Sequence, residues 1–320
     1  MTQDVFIKRR KEEWDKIEAH INRSTKGLKN NAGWFPKAFR ELTQDLNTAR
    51  SNAFEPSIIE RLNRLVMEGS QLIYGGHKWS VKALVRFLVF VFPNAVRSNW
   101  KAIAAAHLLF YGLAVFNALL VFRFPDLVYE ILPESVVHDM REMYDPSGEH
   151  FLQERSMGSN ADMFGFYILN NISIAFRTYA GGILLGFGSI LILCFNAVFL
   201  GAVSGHIVEQ GFSGTFFPFV IGHSSLELTA IVFSAYAGLK MGFSVFVTRG
   251  LKRSASLRKA ADDGLPIIAG SALMLTAAAA VEAFWSSRHL LPAAVKYSAG
   301  GAGWILLLCY FIFCGRRREG

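Results

Sequence analysis

The stretch GTFFPFVIGHSSLELTAIVFSAYAGLKMG, residues Gly214 to Gly242, decides the fold class of this chain. It is longer than the roughly 20 residues that a helix needs to cross a bilayer. Its ionisable side chains are His223, Glu227 and Lys240, and Lys240 stands near its end. A segment this long and apolar predicts a transmembrane helix. The His223 and Glu227 pair within it marks a candidate site at membrane depth.

The composition of the whole chain agrees with a membrane protein. Of 320 residues, 52% are hydrophobic and 28 are Phe, which is too apolar for an ordinary soluble globule. The N-terminal stretch MTQDVFIKRRKEEWDKIEAH is charged throughout and lacks an apolar core followed by a cleavage site, so no secretory signal is predicted. We therefore expect the N-terminus to stay in the cytoplasm.

The charges of the loops predict how the chain is threaded through the membrane. Ala102 to Phe122 is the first predicted crossing. Residues 123–162 hold nine acidic and three basic side chains, which predicts an extracytoplasmic loop. Thr248 to Gly264 carries five Lys and Arg residues and is expected inside. Pro266 to Trp285 and Ala294 to Phe313 then form a hairpin that leads back to the basic tail, 315–320.

This threading requires an odd number of crossings between residues 162 and 248, where two long apolar segments stand out, Tyr179 to about Gly205 and Phe216 to Val247. We therefore predict a further crossing at Met163 to Arg177, as a short, broken helix with Asn170 and Asn171 in its middle. The alternative is that this segment lies flat at the interface. The prediction is thus a bundle of about five to six crossings.

The predicted fold is all-α, a polytopic transmembrane helical bundle with an N-terminal cytoplasmic helical domain. That domain covers 1–101 and is basic, with 18 Lys and Arg residues against 10 acidic ones. It includes a predicted interfacial helix at 79–92, with Trp79 and Trp100 at headgroup level. Within it, apolar stripes on Pro56 to Tyr74 and Phe39 to Arg50 predict an antiparallel hairpin. The bundle covers 102–314. We expect a bacterial cytoplasmic (inner) membrane protein with both termini cytoplasmic.

Polar side chains within the predicted membrane helices form the candidate site. His223 and Glu227 are four residues apart and share a helix face, and Glu282, near the outer end of a later helix, can meet Glu227. Three amides complete the candidates: Asn170, Asn171 and Asn196. Together they either line a pathway for a proton, a cation or a small solute or join helices by hydrogen bonds. The sequence leaves both open.

Two GxxxG spacings, Gly182 with Gly186 and Gly201 with Gly205, predict close helix packing. Packing within one chain is favoured, and a homo-oligomer seam is the alternative.

Other chemistries are not supported. The GHSSL segment, 222–226, lacks the closing glycine and the preceding strand of a hydrolase elbow. The DPSGEH segment, 145–150, is interpreted as an acidic turn in water rather than a divalent-cation site. The net charge of +8 comes without any zinc spacing or RNA-binding motif, so nucleic acid is not an expected partner. We predict no enzyme active site, no cofactor and no metal.

Six ordered blocks carry a resemblance to a known family. They are FIKRRKEEW (6–14), FRELTQDLNTAR (39–50), RLNRLVMEGSQLIY (61–74), MFGFYILNNISIAFRTYAGGILLGFGS (163–189), FNAVFLGA (195–202) and GHSSLELTAIVFSAYAGLKMG (222–242). Through them the chain resembles the stage II sporulation protein M family of integral membrane proteins. Ala197 and Ser224 stand where family members commonly have glycine, whereas Asn196, His223 and Glu227 keep the family pattern.

The resemblance implies a non-enzymatic scaffold or assembly component of a cell-envelope complex. The sporulation member is regarded as anchoring peptidoglycan-degrading partners, and relatives in bacteria that never sporulate commonly lie beside genes for an AAA ATPase and von Willebrand A domain proteins. The expected partners are the lipid bilayer and other membrane or envelope proteins, with an AAA ATPase system among them. A role in sporulation itself is not carried over. The alternative is a channel or transporter that uses the polar site.

Overall fold

The computed structural model describes residues 2–25, 33–74, 80–148, 156–288 and 290–316, and all regular secondary structure in these ranges is helical. The all-α prediction is therefore confirmed. The chain divides into two compact units, residues 1–83 and 84–320. The division falls inside the segment expected at the interface, so residues 84–101 belong to the second unit. Trp79 lies outside the described residues.

The N-terminal unit is built from three helices, α1 (Gln3–Thr25), α2 (Phe35–Ser51) and α3 (Pro56–Tyr74). α2 and α3 form the predicted hairpin, and α1 packs against both. The apolar stripes of the three helices meet in one core. Its largest fully buried side chains are Trp14, Ile17, Ile21, Leu42, Leu62 and Leu65.

Polar contacts join the helices of this unit around its core. The buried carboxylate of Asp45 accepts hydrogen bonds from Arg10 Nε and Trp14 Nε1, both at 2.8 Å. On another side, Arg61 donates to Asp15 and Glu18, both at 2.6 Å, and these hydrogen bonds raise the pKa of the Arg61 guanidinium. α1 is therefore held to α2 by the ion pairs of Arg10 and to α3 by those of Arg61 and Arg64.

The remaining helices are α4 (Val81–Arg86), α5 (Phe92–Arg97), α6 (Trp100–Arg123), α7 (Leu127–Ile131), α8 (Glu134–Tyr144), α9 (Met157–Ala180), α10 (Phe187–Glu209), α11 (Ser213–Phe243), α12 (Arg253–Val281) and α13 (Ala293–Phe313). A π-helical turn, Phe87–Val91, joins α4 to α5, and a second one, Glu282–Ser286, extends α12. We call the second one the Glu282 π turn. In the described ranges, five helices are long and apolar enough to cross a membrane: α6, α10, α11, α12 with its π turn, and α13.

The direction of α6 and α10 requires a further pass of the chain along the bundle between them. Gly201 of α10 lies against Ala114 of α6, and Gly205 lies against Ala118. The residue numbers of both helices increase in the same direction along the contact, so the two helices run parallel. The chain must therefore return across the bundle between the end of α6 and the start of α10. α9 makes this return.

α9 runs antiparallel to α12 over its whole length. The ring of Phe164 lies 5.6 Å from that of Phe284, and the hydroxyl of Tyr179 lies 3.5 Å from the carbonyl oxygen of Ala261. Its 24 residues extend about 36 Å at 1.5 Å per residue, enough for a hydrocarbon core of about 30 Å. The expectation of a broken helix was wrong. Asn170 instead donates to the side chain of Asn171 at 3.0 Å, and the helical backbone stays continuous.

The turn between α9 and α10 shortens the segment that was expected to cross from Tyr179 to about Gly205. A short 3-10 helix, Gly181–Ile183, and a left-handed Gly186 (φ 87°) reverse the chain, so α10 begins only at Phe187. Gly181 and Gly188 meet face to face in this reversal, and a side chain on either would collide with the backbone of the other. The glycines therefore build a hairpin rather than one long helix.

The two ends of the bundle differ in charge and in the segments that cover them. At the end where α6 finishes, which we call the acidic end, α7 and α8 pack on α10 and α11 through an apolar cluster that includes Val128, Val137 and Phe216. At the opposite, basic end, Phe92 of α5 is inserted between Phe233 and Phe311. Arg97 there donates to the carbonyl oxygens of Phe311 and Cys314 at 2.9 and 2.6 Å. The start of α6 and the end of α13 thus lie at the same end.

Candidate functional site

α11 is the central helix of the bundle and carries the candidate site. It packs against α6, α9, α10, α12 and α13. From Thr229 to Gly238 every residue of α11 is buried. Because helices surround it on all sides, polar side chains on α11 are held between protein surfaces at membrane depth.

Three of the predicted site residues converge in this bundle. His223 and Glu227 share one face of α11, as their spacing predicts, and His223 Nε2 lies 3.6 Å from Glu227 Oε2. Glu282 joins them from the Glu282 π turn. One donor atom from each of the three side chains lies within 4.8 Å of the other two. The predicted meeting of Glu227 with Glu282 therefore occurs, nearer the acidic end of the bundle.

The local fold around Glu282 explains how it reaches α11. The widened turn of a π helix is an unusual geometry that is often found at functional sites. Gly222 lets this turn approach closely, because a Cβ atom at position 222 would lie 2.5 Å from the ring of Trp285 and 2.9 Å from Ser286 Oγ. A glycine on one helix and a π turn on the other thus bring Glu282 beside His223 and Glu227.

Two further polar residues border the cluster and were not predicted from the sequence. Ser286 Oγ lies 3.2 Å from His223 Nδ1, whereas Glu227 lies at the other ring nitrogen, Nε2. The ammonium group of Lys296, on α13, donates to the carbonyl oxygen of Ser286 at 2.8 Å, and this lysine is only 5% exposed. Lys296 lies in an otherwise apolar helix. This isolated charge in the sequence could have identified Lys296 as a candidate site residue.

The three amides follow a different pattern. Asn170 donates to Asn171 on the same helix, and Asn196 donates to the carbonyl oxygen of Ile192 at 2.8 Å. The amide nitrogen of the buried Asn171 has no hydrogen-bond partner within the described part of the chain. The hydrogen bonds from Asn170 and Asn196 therefore stay within their own helices, whereas His223, Glu227 and Glu282 form the cluster between helices.

The other sequence motifs have simple structural explanations. Ser224 lies within α11, where its hydroxyl is 3.4 Å from the carbonyl oxygen of Ile221, so the strand and turn of a hydrolase elbow are not formed there. In the acidic loop, the Asp145 carboxylate accepts from the hydroxyl and the backbone N–H of Ser147, which lowers the pKa of this carboxyl. The Asp145 carboxylate therefore stabilises the turn in which it lies. Glu149 and His150 lie outside the described residues.

These features define a multi-pass helical membrane protein with a buried ionisable cluster between its central helix and the end of α12. Residues 102–287 match the stage II sporulation protein M family, and the chain belongs to that family of integral membrane proteins. Residues 4–75, which make up most of the N-terminal unit, match a domain of unknown function, DUF8413. No curated protein and no solved structure matches the chain.

Proposed function

We propose that this protein is a rigid, non-enzymatic membrane anchor for a cell-envelope assembly in the bacterial inner membrane, with its N-terminal unit as a cytoplasmic docking domain. The observation that carries the proposal is the set of glycine contacts through which the membrane helices meet backbone to backbone. Family membership supports an integral membrane protein and leaves the anchoring role and the partner to this proposal.

The glycine contacts surround α11 and continue to the outer helices. At the basic end, Gly238 and Gly242 of α11 lie against Gly182 of the α9–α10 turn, and toward the acidic end Gly300 of α13 lies against the backbone of Ile221. Small residues allow membrane helices to approach closely and to pack by van der Waals contact. Contacts at both ends of the central helix hold it against its neighbours.

This packing favours an anchor over a rocking transporter. Alternating access in many transporters moves one repeat against another around a fixed site, and such folds are commonly built from paired broken helices. In this bundle, α9 and α11 are continuous, and a shift of α11 against the α9–α10 turn would break the contacts at Gly182 and Gly238. Because tightly packed interiors do not deform continuously, the bundle suits a static role.

The N-terminal unit suits docking because it has its own core and a charged surface. Lys8, Arg9 and Lys11 lie exposed on α1, while the ion pairs of Arg10 and Arg61 hold the helices together from within. A basic, folded surface can recognise an acidic face of a partner and increase its association rate.

Native electrophoresis of membrane extracts tests the anchor. The full-length chain should migrate in its native membrane as a complex larger than the purified protein. Reversing the exposed α1 charges (K8E, R9E and K11E together) should shift it to the size of the purified protein while it remains in the membrane. The matched control reverses Glu134 and Asp139, exposed on α8, and should leave the complex intact. Identical migration of the membrane-extracted and purified protein would contradict the proposal.

A second candidate function, a proton or cation pathway, is favoured by the buried cluster of His223, Glu227 and Glu282, because ionisable groups within a membrane commonly mark such pathways. Proteoliposomes with the purified protein test it. Flux that is lost in Glu227→Gln and retained in Glu130→Gln, an exposed carboxylate on α7, would support the pathway. The absence of flux under proton, sodium and potassium gradients would count against it.

A further inference from the structure

We propose that His223, Glu227 and Glu282 form a binding site for a divalent transition-metal ion, with Zn²⁺ as the best match, and that Ser286 orients the imidazole ligand. The inference does not depend on the anchoring role, because a metal at this place can stabilise a scaffold or occupy a pathway equally well. It rests on the positions of donor atoms contributed by α11 and the Glu282 π turn.

The spacing of the donor atoms is close to that of ligands on one metal ion. Two ligands at about 2.0–2.2 Å from a tetrahedral Zn²⁺ are themselves about 3.3–3.6 Å apart. The observed 3.6 Å between His223 Nε2 and Glu227 Oε2 is at the upper end of this range and longer than an ordinary hydrogen bond. Since all three donors lie within 4.8 Å of one another, rotamer adjustments of the order of 1 Å would bring Glu282 into the same coordination sphere.

The ligand types select the class of metal. One imidazole nitrogen with two carboxylates is a mixed nitrogen and oxygen set, which suits Zn²⁺, Mn²⁺ or Fe²⁺, whereas Mg²⁺ and Ca²⁺ prefer oxygen ligands alone. Zn²⁺ has no geometric preference from d-electrons and accepts the tetrahedral arrangement that three protein ligands and one further group provide. The cluster therefore favours Zn²⁺ over the alkaline-earth ions.

The surroundings of His223 fit the second shell of a metal ligand. Metal-bound histidines almost always donate their other ring N–H to an oxygen acceptor, which fixes the tautomer and the ring orientation. Ser286 Oγ lies 3.2 Å from Nδ1, so Nδ1 can donate there while the unprotonated Nε2 faces the Glu227 carboxylate. Lys296 in turn holds the carbonyl oxygen of Ser286, which fixes the acceptor in the Glu282 π turn.

A divalent ion also suits the charge of the cluster. Two carboxylates at close range in a low-dielectric interior repel each other unless a proton or a positive ion lies between them. A divalent ion would neutralise both carboxylates and use the His223 lone pair at the same time.

Metal titration of the purified full-length protein in detergent tests the site. After treatment with a chelator and its removal, the protein is dialysed against ZnCl₂, and bound metal is measured by mass spectrometry. We expect about one Zn²⁺ per chain in the wild type. Binding should be lost in Glu282→Gln and His223→Gln and weakened about 10- to 100-fold in Ser286→Ala. Glu130→Gln and His107→Gln, a histidine in α6 outside the cluster, serve as matched controls.

Co²⁺ substitution supplies a readout of the ligands themselves. A tetrahedral Co²⁺ absorption band in the wild type that disappears in Glu282→Gln would support the proposal, and Mn²⁺ in place of Zn²⁺ as the tighter ion would change the metal but keep the site. The proposal is overturned if the wild type retains no Zn²⁺, Co²⁺ or Mn²⁺, or if the cluster variants bind as the controls do. If size-exclusion chromatography shows that Glu282→Gln does not fold, the Zn²⁺ affinity of Ser286→Ala, which removes no ligand, tests the site instead. An unchanged Zn²⁺ affinity in Ser286→Ala would then overturn the proposal.

Discussion

Asp45 is the polar centre of the N-terminal unit. It is buried, and its carboxylate connects Arg10 and Trp14 of α1 to α2. Glu41 also contacts Arg10, at 3.3 Å, but its side chain is 37% exposed. Arg10 thus contacts two carboxylates, one buried and one partly exposed. Their contributions to stability can therefore be compared directly.

We expect Asp45→Ala to destabilise the N-terminal unit by about 2 kcal/mol, because it leaves the buried indole N–H of Trp14 without its acceptor and removes the most buried carboxylate that Arg10 contacts. Glu41→Ala should cost under about 1 kcal/mol, since water screens a half-exposed ion pair. Pulse proteolysis of the full-length protein across a urea series measures both losses. Equal losses from the two variants would show that burial does not control this network.

The residues of the candidate site were predictable to different degrees. The spacing of His223 and Glu227 is local, so the sequence alone places both on one helix face. The meeting with Glu282 required a guess about helix pairing, which the structure bears out. Ser286 and Lys296 were missed because a serine near a helix end and one lysine in an apolar helix have many explanations until the neighbouring helices are known.

At the level of the elements, the turn between α9 and α10 depends on glycine. Gly182 packs on the carbonyl group of Gly238, and Gly242 packs on Gly186, so two pairs of glycines join this turn to α11. The GxxxG spacing of Gly182 and Gly186 was therefore a correct signal of close packing within the chain. Its predicted place on a transmembrane helix was wrong, because these residues form the turn.

Gly182→Ala is expected to destabilise the bundle by about 1–3 kcal/mol, since the new methyl group would overlap the backbone of Gly238 and force α11 away. The control is Gly112→Ala on α6, where a Cβ atom meets nothing within 4 Å and the change should stay within about 0.5 kcal/mol. Thermal unfolding in detergent, followed by size-exclusion chromatography, compares them. Equal melting temperatures would contradict the close contact.

For the whole molecule, the parallel α6 and α10 require that the chain return along the bundle between them, and α9 supplies this sixth pass. Hydropathy alone finds five spans and leaves out α9, which holds Asn170 and Asn171 in its middle. The sequence-based inference of a sixth crossing came from loop charge, and the packing of α9 on α12 supports it independently.

Cysteine labelling tests this threading. In a background with Cys194, Cys309 and Cys314 replaced by serine, cysteine at Ser147 or Ser159 should react with a membrane-impermeant maleimide in intact spheroplasts. Cysteine at Ser254, at the basic end, should react only after permeabilisation, because three crossings, α9, α10 and α11, separate it from Ser147 and Ser159. All three positions are exposed. Labelling of Ser254 in intact spheroplasts would reject the assignment of the basic end to the cytoplasm.

The sequence by itself determined the membrane class, the helical fold, the N-terminal hairpin and the pairing of His223 with Glu227, because each follows from composition, from the apolar stripes of neighbouring helices or from contacts within one helix. Only the tertiary structure decided that α9 is continuous, that α10 starts at Phe187, and that Glu282, Ser286 and Lys296 gather beside α11. These features depend on which helices touch and on the backbone geometry of the glycine turn and the Glu282 π turn. Contacts between residues far apart in the chain are set by packing, and local patterns do not contain them.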